Sequence, residues 1–143
     1  MKVRAYVLLV LAGILTMSAS TKKASLSEGN TPGNLAPRIE SMDNGREVRF
    51  QNHSGKYTLL NFWAAYDAES RARNIQLWNE VNKLNSSEIE MISISYDKSP
   101  SVFSETVKAD GLNQENQFRD EQGAESELYK KYDLRKGFKN FLI

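Results

Sequence analysis

Gly55-Lys-Tyr-Thr-Leu-Leu-Asn-Phe-Trp-Ala-Ala-Tyr66 is the stretch on which the reading of this chain turns. Its centre, Tyr57 to Phe62, is short, mostly apolar and preceded by the turn-forming His53-Ser54-Gly55-Lys56, which reads as a buried strand. A helix follows from about Ala68 to Leu84. Ile75, Trp78, Val81 and Leu84 recur there at helical spacing, and Arg71, Arg73, Asn79 and Lys83 are left for water. Asp67 stands where an N-cap belongs, and Glu69 in the first turn suits the helix dipole. A strand feeding directly into a capped helix is one half of a βαβ unit.

The rest of the chain continues that alternation. Ile89 to Tyr96 is β-branched and bounded by turn-formers, hence a second strand. Ser99-Pro100 has the form of an N-cap followed by proline at the first helical position; Phe103 and Val107 share a face, and Gly111 is a natural stop. Residues 112–122 read as a polar loop around Phe118. Ala124 to Tyr132 is a short helix with Leu128 and Tyr132 four apart, and Phe141-Leu142-Ile143 opens a buried strand. Upstream, Ile39–Met42 and Glu47–Phe50 flank Asp43-Asn44-Gly45, a strong hairpin signal. The order ββ, βα, βα, α, β implies an α/β domain whose mainly parallel sheet carries helices on its faces. Residues 21–34, rich in Ser, Thr, Lys, Asn and Gly, read as a flexible tether, with the domain proper at residues 35–143.

Composition removes much conventional chemistry. The chain has 143 residues, 40% of them apolar, 26% charged and 10% aromatic, as expected of one globular domain. Nineteen Lys plus Arg against 18 Asp plus Glu leave a net charge of +1, so there is no reason to expect nucleic acid. There is no cysteine and one histidine, His53. Disulfides, thiolate metal sites and cysteine nucleophiles are therefore excluded, a histidine-built metal site is not expected, and no cofactor is implied.

The N-terminus reads as an address. Lys2 and Arg4 precede an apolar run from Ala5 to Leu15 and the small stretch Ser18-Ala19-Ser20, the pattern of a secretory signal peptide over residues 1–20. The run is short of the roughly 20 apolar residues that span a bilayer, so no membrane span is expected once the signal is removed. Met17-Ser18-Ala19-Ser20 looks like a lipobox with serine in the cysteine place, and serine forms no thioether to lipid. The expected destination is the periplasm or cell envelope of a bacterium.

Gly55–Tyr66 closely resembles the strand that enters the active site in periplasmic thioredoxin-like proteins of the TlpA/ResA type, which read GKxxLLNFWASWCxxCR and are related to the peroxide-reducing thiol enzymes. The resemblance extends to Leu35-Ala36-Pro37, Ile92-Ser-Ile-Ser-Tyr-Asp97, Leu128-Tyr-Lys-Lys-Tyr-Asp-Leu134 and Asn140-Phe-Leu-Ile143. It implies a thioredoxin-like α/β fold with an N-terminal β-hairpin and a central mixed sheet flanked by helices, lacking the family's final strand and helix. It also implies where function has changed. Asp67 falls at the family's first, nucleophilic cysteine and Ser70 at the second, and neither side chain can pass electrons through a mixed disulfide. Phe138 falls at the cis-proline, where a non-proline cis bond would cost about 2.5–4 kcal/mol, so a trans bond and a reshaped loop are expected.

Several residues admit a plain and a functional reading. Asp67 is a cap or a functional anion; as an anion it would form a salt bridge with Lys139 or Arg71. Ser70 as a nucleophile needs a base, and the one histidine lies 17 residues upstream in another turn. Trp63 and Tyr66 are core residues or a ligand platform. The run Lys130, Lys131, Arg135, Lys136, Lys139 is a solvated face or a charged patch. Glu88 and Glu90 without a pocket make no acid–base pair. The resulting expectation is a redox-inactive module that binds an envelope protein or peptide through Trp63, Tyr66, Asp67, Ser70, Arg71, Phe138 and Lys139. A truncated or degenerate relative without activity, or a thiol-disulfide oxidoreductase depleted of its cysteines, is the alternative.

Overall fold

The computed structural model describes residues 27–39, 42, 48, 55–84 and 88–143. The expected leader at residues 1–20, the expected turn at His53 and the expected hairpin tip at residues 43–45 lie outside them. One antiparallel bridge between Ile39 and Val48 falls within the expected hairpin. In the described part of the expected tether, the Gly29 amide donates to the Leu35 carbonyl at 2.9 Å and the Leu35 amide to the Ser27 carbonyl at 3.0 Å.

Strand β1 (Tyr57–Trp63) runs into helix α1 (Ala68–Lys83), then β2 (Ile89–Ser95), α2 (Pro100–Ala109), β3 (Gln117–Arg119), the short α3 (Glu127–Lys131) and β4 (Asn140–Leu142). The sheet order is β3-β2-β1-β4. β1 and β2 pair in parallel with Leu60 opposite Ile92, β2 and β3 pair in parallel, and β4 returns antiparallel to β1 with Phe141 opposite Leu60. The fold is thus the thioredoxin-like mixed sheet that the resemblance implied. Two expectations need correction. The loop at 112–122 contains β3, and β4 is an edge strand with Leu142 64% exposed, not a buried one.

Strand alternation divides the interior in two. Leu60 and Phe62 of β1, with Ile92, Ile94 and Tyr96, face a cluster completed by Leu128, Tyr132 and Leu134, to which Phe138 and Phe141 add partly buried rings. The opposite face holds Trp63 with Val107 and Leu112, against which Trp78 and Phe103 pack. On the same face as Trp63, under α1, lies a polar layer. Asn74 of α1 accepts from Asn61 Nδ2 at 3.0 Å and from Ser93 Oγ at 2.7 Å, and donates to Gln117 Oε1 at 3.4 Å. Its members come from β1, β2, β3 and α1 and are all buried. The helix therefore sits on the sheet differently from expectation: its fully buried side chains are Ser70 and Asn74, while Ile75, Trp78 and Val81 are half-buried and Leu84 is exposed.

Candidate binding site

The turn from β1 into α1 builds the site. Asp67 has the extended backbone of an N-cap and accepts from the Glu69 amide at 3.3 Å. Ser70 Oγ donates to the Asp67 carbonyl at 3.1 Å and accepts from the Ala64 amide at 3.3 Å, and is buried. Both side chains at the resemblance's dithiol positions are thus committed to local hydrogen bonds: Asp67 caps an amide that the helix start leaves without a partner, and Ser70 ties the first turn back to the Asp67 carbonyl and the Ala64 amide. Ser70 has no base in reach among the described residues.

Asp97, just beyond β2, braces the same turn. Both its carboxylate oxygens accept from the Ala65 amide at 3.0 Å, and one also takes the Ser95 hydroxyl at 2.7 Å. Tyr66, so presented, is 72% exposed. Its ring lies 6.4 Å from that of Phe138, which stacks on Tyr96 at 5.7 Å, and Tyr96 meets Tyr129 edge-on at 5.2 Å. Arg73 Nη1 donates to the Phe138 carbonyl at 2.9 Å, while Arg73 Nη2 reaches Glu69 at 2.6 Å, so α1 holds the loop that carries Phe138. No peptide bond among the described residues is cis, in keeping with the trans bond expected before Phe138.

Between this turn and α2 opens a cavity of about 640 Å³, lined by Ala65, Tyr66, Tyr96, Asp97, Val102 and Tyr129 among others. The size suits a side chain or a small ligand. Burial, with the charge of Asp120 nearby, holds the Tyr96 phenol far above its ordinary value, and partial burial raises that of Tyr66. Both are neutral phenols at physiological pH.

The expected residues separate on this frame. Tyr66 and Arg71 line the cavity, Phe138 stacks beside it, and Asp67 and Ser70 frame the helix start. Trp63 has no exposed surface and belongs to the core. The salt bridge expected of Asp67 is absent: Arg71 makes a two-pronged pair with Asp110 at 2.8 and 2.6 Å, and that bond raises the Arg71 pKa. Lys139 instead lies 3.9 Å from Asp133. The rest of the basic run is largely paired too, Lys130 with Glu127, Lys131 with Glu28 and Lys136 with Asp133, so it is no free cationic patch. Asp97, Tyr96, Tyr129 and Arg73 were not anticipated. One signal pointed to Asp97: it follows the carboxyl end of a parallel strand, where α/β sheets place their ligands.

No protein-family model matches the chain, and no curated protein sequence does. Solved structures do. A thioredoxin-like protein from Parabacteroides distasonis is 63% identical, with a TM-score of 0.76 over 83% of this chain and 84% of that one. The chain belongs to the thioredoxin-like family. A thiol-disulfide oxidoreductase from Bacteroides fragilis is 28% identical, with a TM-score of 0.60 over 76% of this chain and 81% of that one. A thiol:disulfide interchange protein from a Bacteroides species shares the fold at 21% identity and a TM-score of 0.63, over 82% and 75% of the two chains. This thioredoxin-like chain carries no cysteine, so the thiol chemistry that names such neighbours has no thiol here to act through. Among the described residues there is no cluster of potential metal ligands, and no helix long and apolar enough to cross a membrane.

Proposed function

We propose that this chain is an exported, redox-inactive thioredoxin-like module that binds a protein or peptide segment in the bacterial envelope. One observation carries the reading. The turn that the resemblance assigns to the dithiol holds Asp67, which caps α1, and Ser70, buried and bonded back to the Asp67 carbonyl, while an open cavity walled by tyrosines lies alongside. The site has kept a shaped surface and changed its chemistry from electron transfer to contact.

Photo-cross-linking tests binding. A photoreactive phenylalanine analogue replacing Tyr66 should capture envelope proteins or peptides in cells, and the same analogue replacing Lys83, exposed at the far end of α1, should not. Equal capture, or none, at both positions removes the binding reading. Export rests on the leader-like residues 1–20. Intact mass of the chain recovered from the envelope fraction should show their loss, and a mass that retains Met1 to Ser20 contradicts cleavage.

A further inference from the structure

We infer that the cavity beside Tyr66 receives a cationic side chain, lysine or arginine, of the bound segment. This deepens the peptide-binding reading and rests on it. The argument begins at Asp97. Asp97 lines the cavity, is only 3% exposed, and its carboxylate takes the neutral Ala65 amide and Ser95 hydroxyl. Those bonds solvate the charge without cancelling it. Among the described residues no cationic side chain lies within 4 Å of Asp97. Arg71, which also lines the cavity and lies near enough for Asp97 to act on its charge, gives both prongs of its guanidinium to Asp110. Lys98 also lines the cavity, but as an exposed residue at its edge.

Around this buried negative charge stand Tyr66, Tyr96 and Tyr129, with Val102, Ala65 and Ala124 filling in. Aromatic faces attract cations, the more so where water is excluded, and an apolar wall suits the methylene stem of a long basic side chain. A carboxylate entering the same space would meet Asp97, and a purely aliphatic one would leave that charge uncompensated. The mouth is apolar as well: Tyr66 and Val102 are two of the six large hydrophobic side chains exposed among the described residues. The cavity thus has the two halves that lysine or arginine has, a greasy shaft and a charged end.

The probes are blocked pentapeptides, glycines around a central lysine, norleucine or glutamate, titrated at millimolar concentration into the full-length chain while backbone amide shifts are followed. The lysine peptide should shift Ala65, Tyr66 and Tyr129 and bind about tenfold more tightly than norleucine, with glutamate weakest. Asp97→Asn keeps an acceptor for the Ala65 amide and should abolish the preference for lysine over norleucine while the norleucine affinity holds. Tyr66→Ala, at an exposed site, should weaken lysine binding without unfolding the chain. Norleucine binding as tightly as lysine overturns the cationic assignment and leaves peptide binding standing. Absence of shifts with all three overturns both. A self-association that Tyr66→Ala abolishes, with no peptide competing, would put a second copy of this chain in the cavity and overturn the assignment as well.

Discussion

Asp67 and Ser70 stand at the turn from β1 into α1, Asp67 as an ordinary N-cap and Ser70 as a buried first-turn residue bonded back to the Asp67 carbonyl. Replacing Asp67 with Ala removes the acceptor for the Glu69 amide and should cost about 1 kcal/mol in urea unfolding. The ionic contacts divide in the same manner. A double-mutant cycle across Arg71 and Asp110 should give a coupling of about 0.5–1 kcal/mol, modest because Arg71 is part-exposed, whereas the cycle across Asp67 and Arg71 should give none. The cap was legible because it depends only on neighbours in sequence. The partner of Arg71 was not, because Asp110 lies 39 positions away and arrives at the end of a different helix. Glu28 and Asp133 carry a pH signature. The Arg38 amide holds Glu28, and the Lys136 ammonium holds Asp133, below their usual carboxylate ranges. A carboxylate lowered by folding stabilises the fold above its unfolded pKa, and that contribution is lost as pH falls through the folded value. Carboxyl carbon titration should place both midpoints below those of the urea-unfolded chain; midpoints equal to the unfolded ones would refute the two contacts.

At the scale of elements, α1 shows how a helix docks through hydrogen bonds. Asn74 gathers bonds from three strands, so Asn74→Ala leaves Asn61, Ser93 and Gln117 each short of a buried partner. The expected loss is about 2–3 kcal/mol, read as a lower urea midpoint at unchanged slope. A loss under about 0.5 kcal/mol would mean that the layer contributes nothing measurable. Sequence periodicity located this helix well but misjudged its inner face, since a stripe of Ile75, Trp78, Val81 and Leu84 looks like a seam and the polar Asn74 lies outside that stripe. β1, β2 and α2 were legible for the converse reason: β-branched runs and the Ser99-Pro100 start state their conformation locally. β3 is three residues, two of them polar, and becomes a strand by pairing with β2 through Phe118 opposite Ile94. β4 announced itself by its apolar run, but an apolar run does not say whether a neighbour will lie on both sides. The site was half legible. Tyr66 and Phe138 were marked by the family pattern, whereas Asp97, Tyr96 and Tyr129 meet them only through the sheet.

Taken whole, the molecule has a thioredoxin-like frame, no cysteine, and a braced aromatic surface beside the turn that the resemblance assigns to the dithiol. Unfolding followed by near-ultraviolet and far-ultraviolet dichroism should coincide in one cooperative transition, as a built core requires; a broad melt with dye-binding intermediates would favour a degenerate relative without activity. The polar layer under α1 has a further, thermal consequence. Heat capacity rises on unfolding as apolar surface meets water and falls as polar surface does. Asn61, Asn74, Ser93 and Gln117 together replace what could have been an apolar seam between helix and sheet, so this interface adds little to that rise. The curve of stability against temperature is correspondingly flattened, and the seating of α1, and with it the tilt of Tyr66 over the cavity, keeps its strength in the cold, where apolar contacts lose theirs.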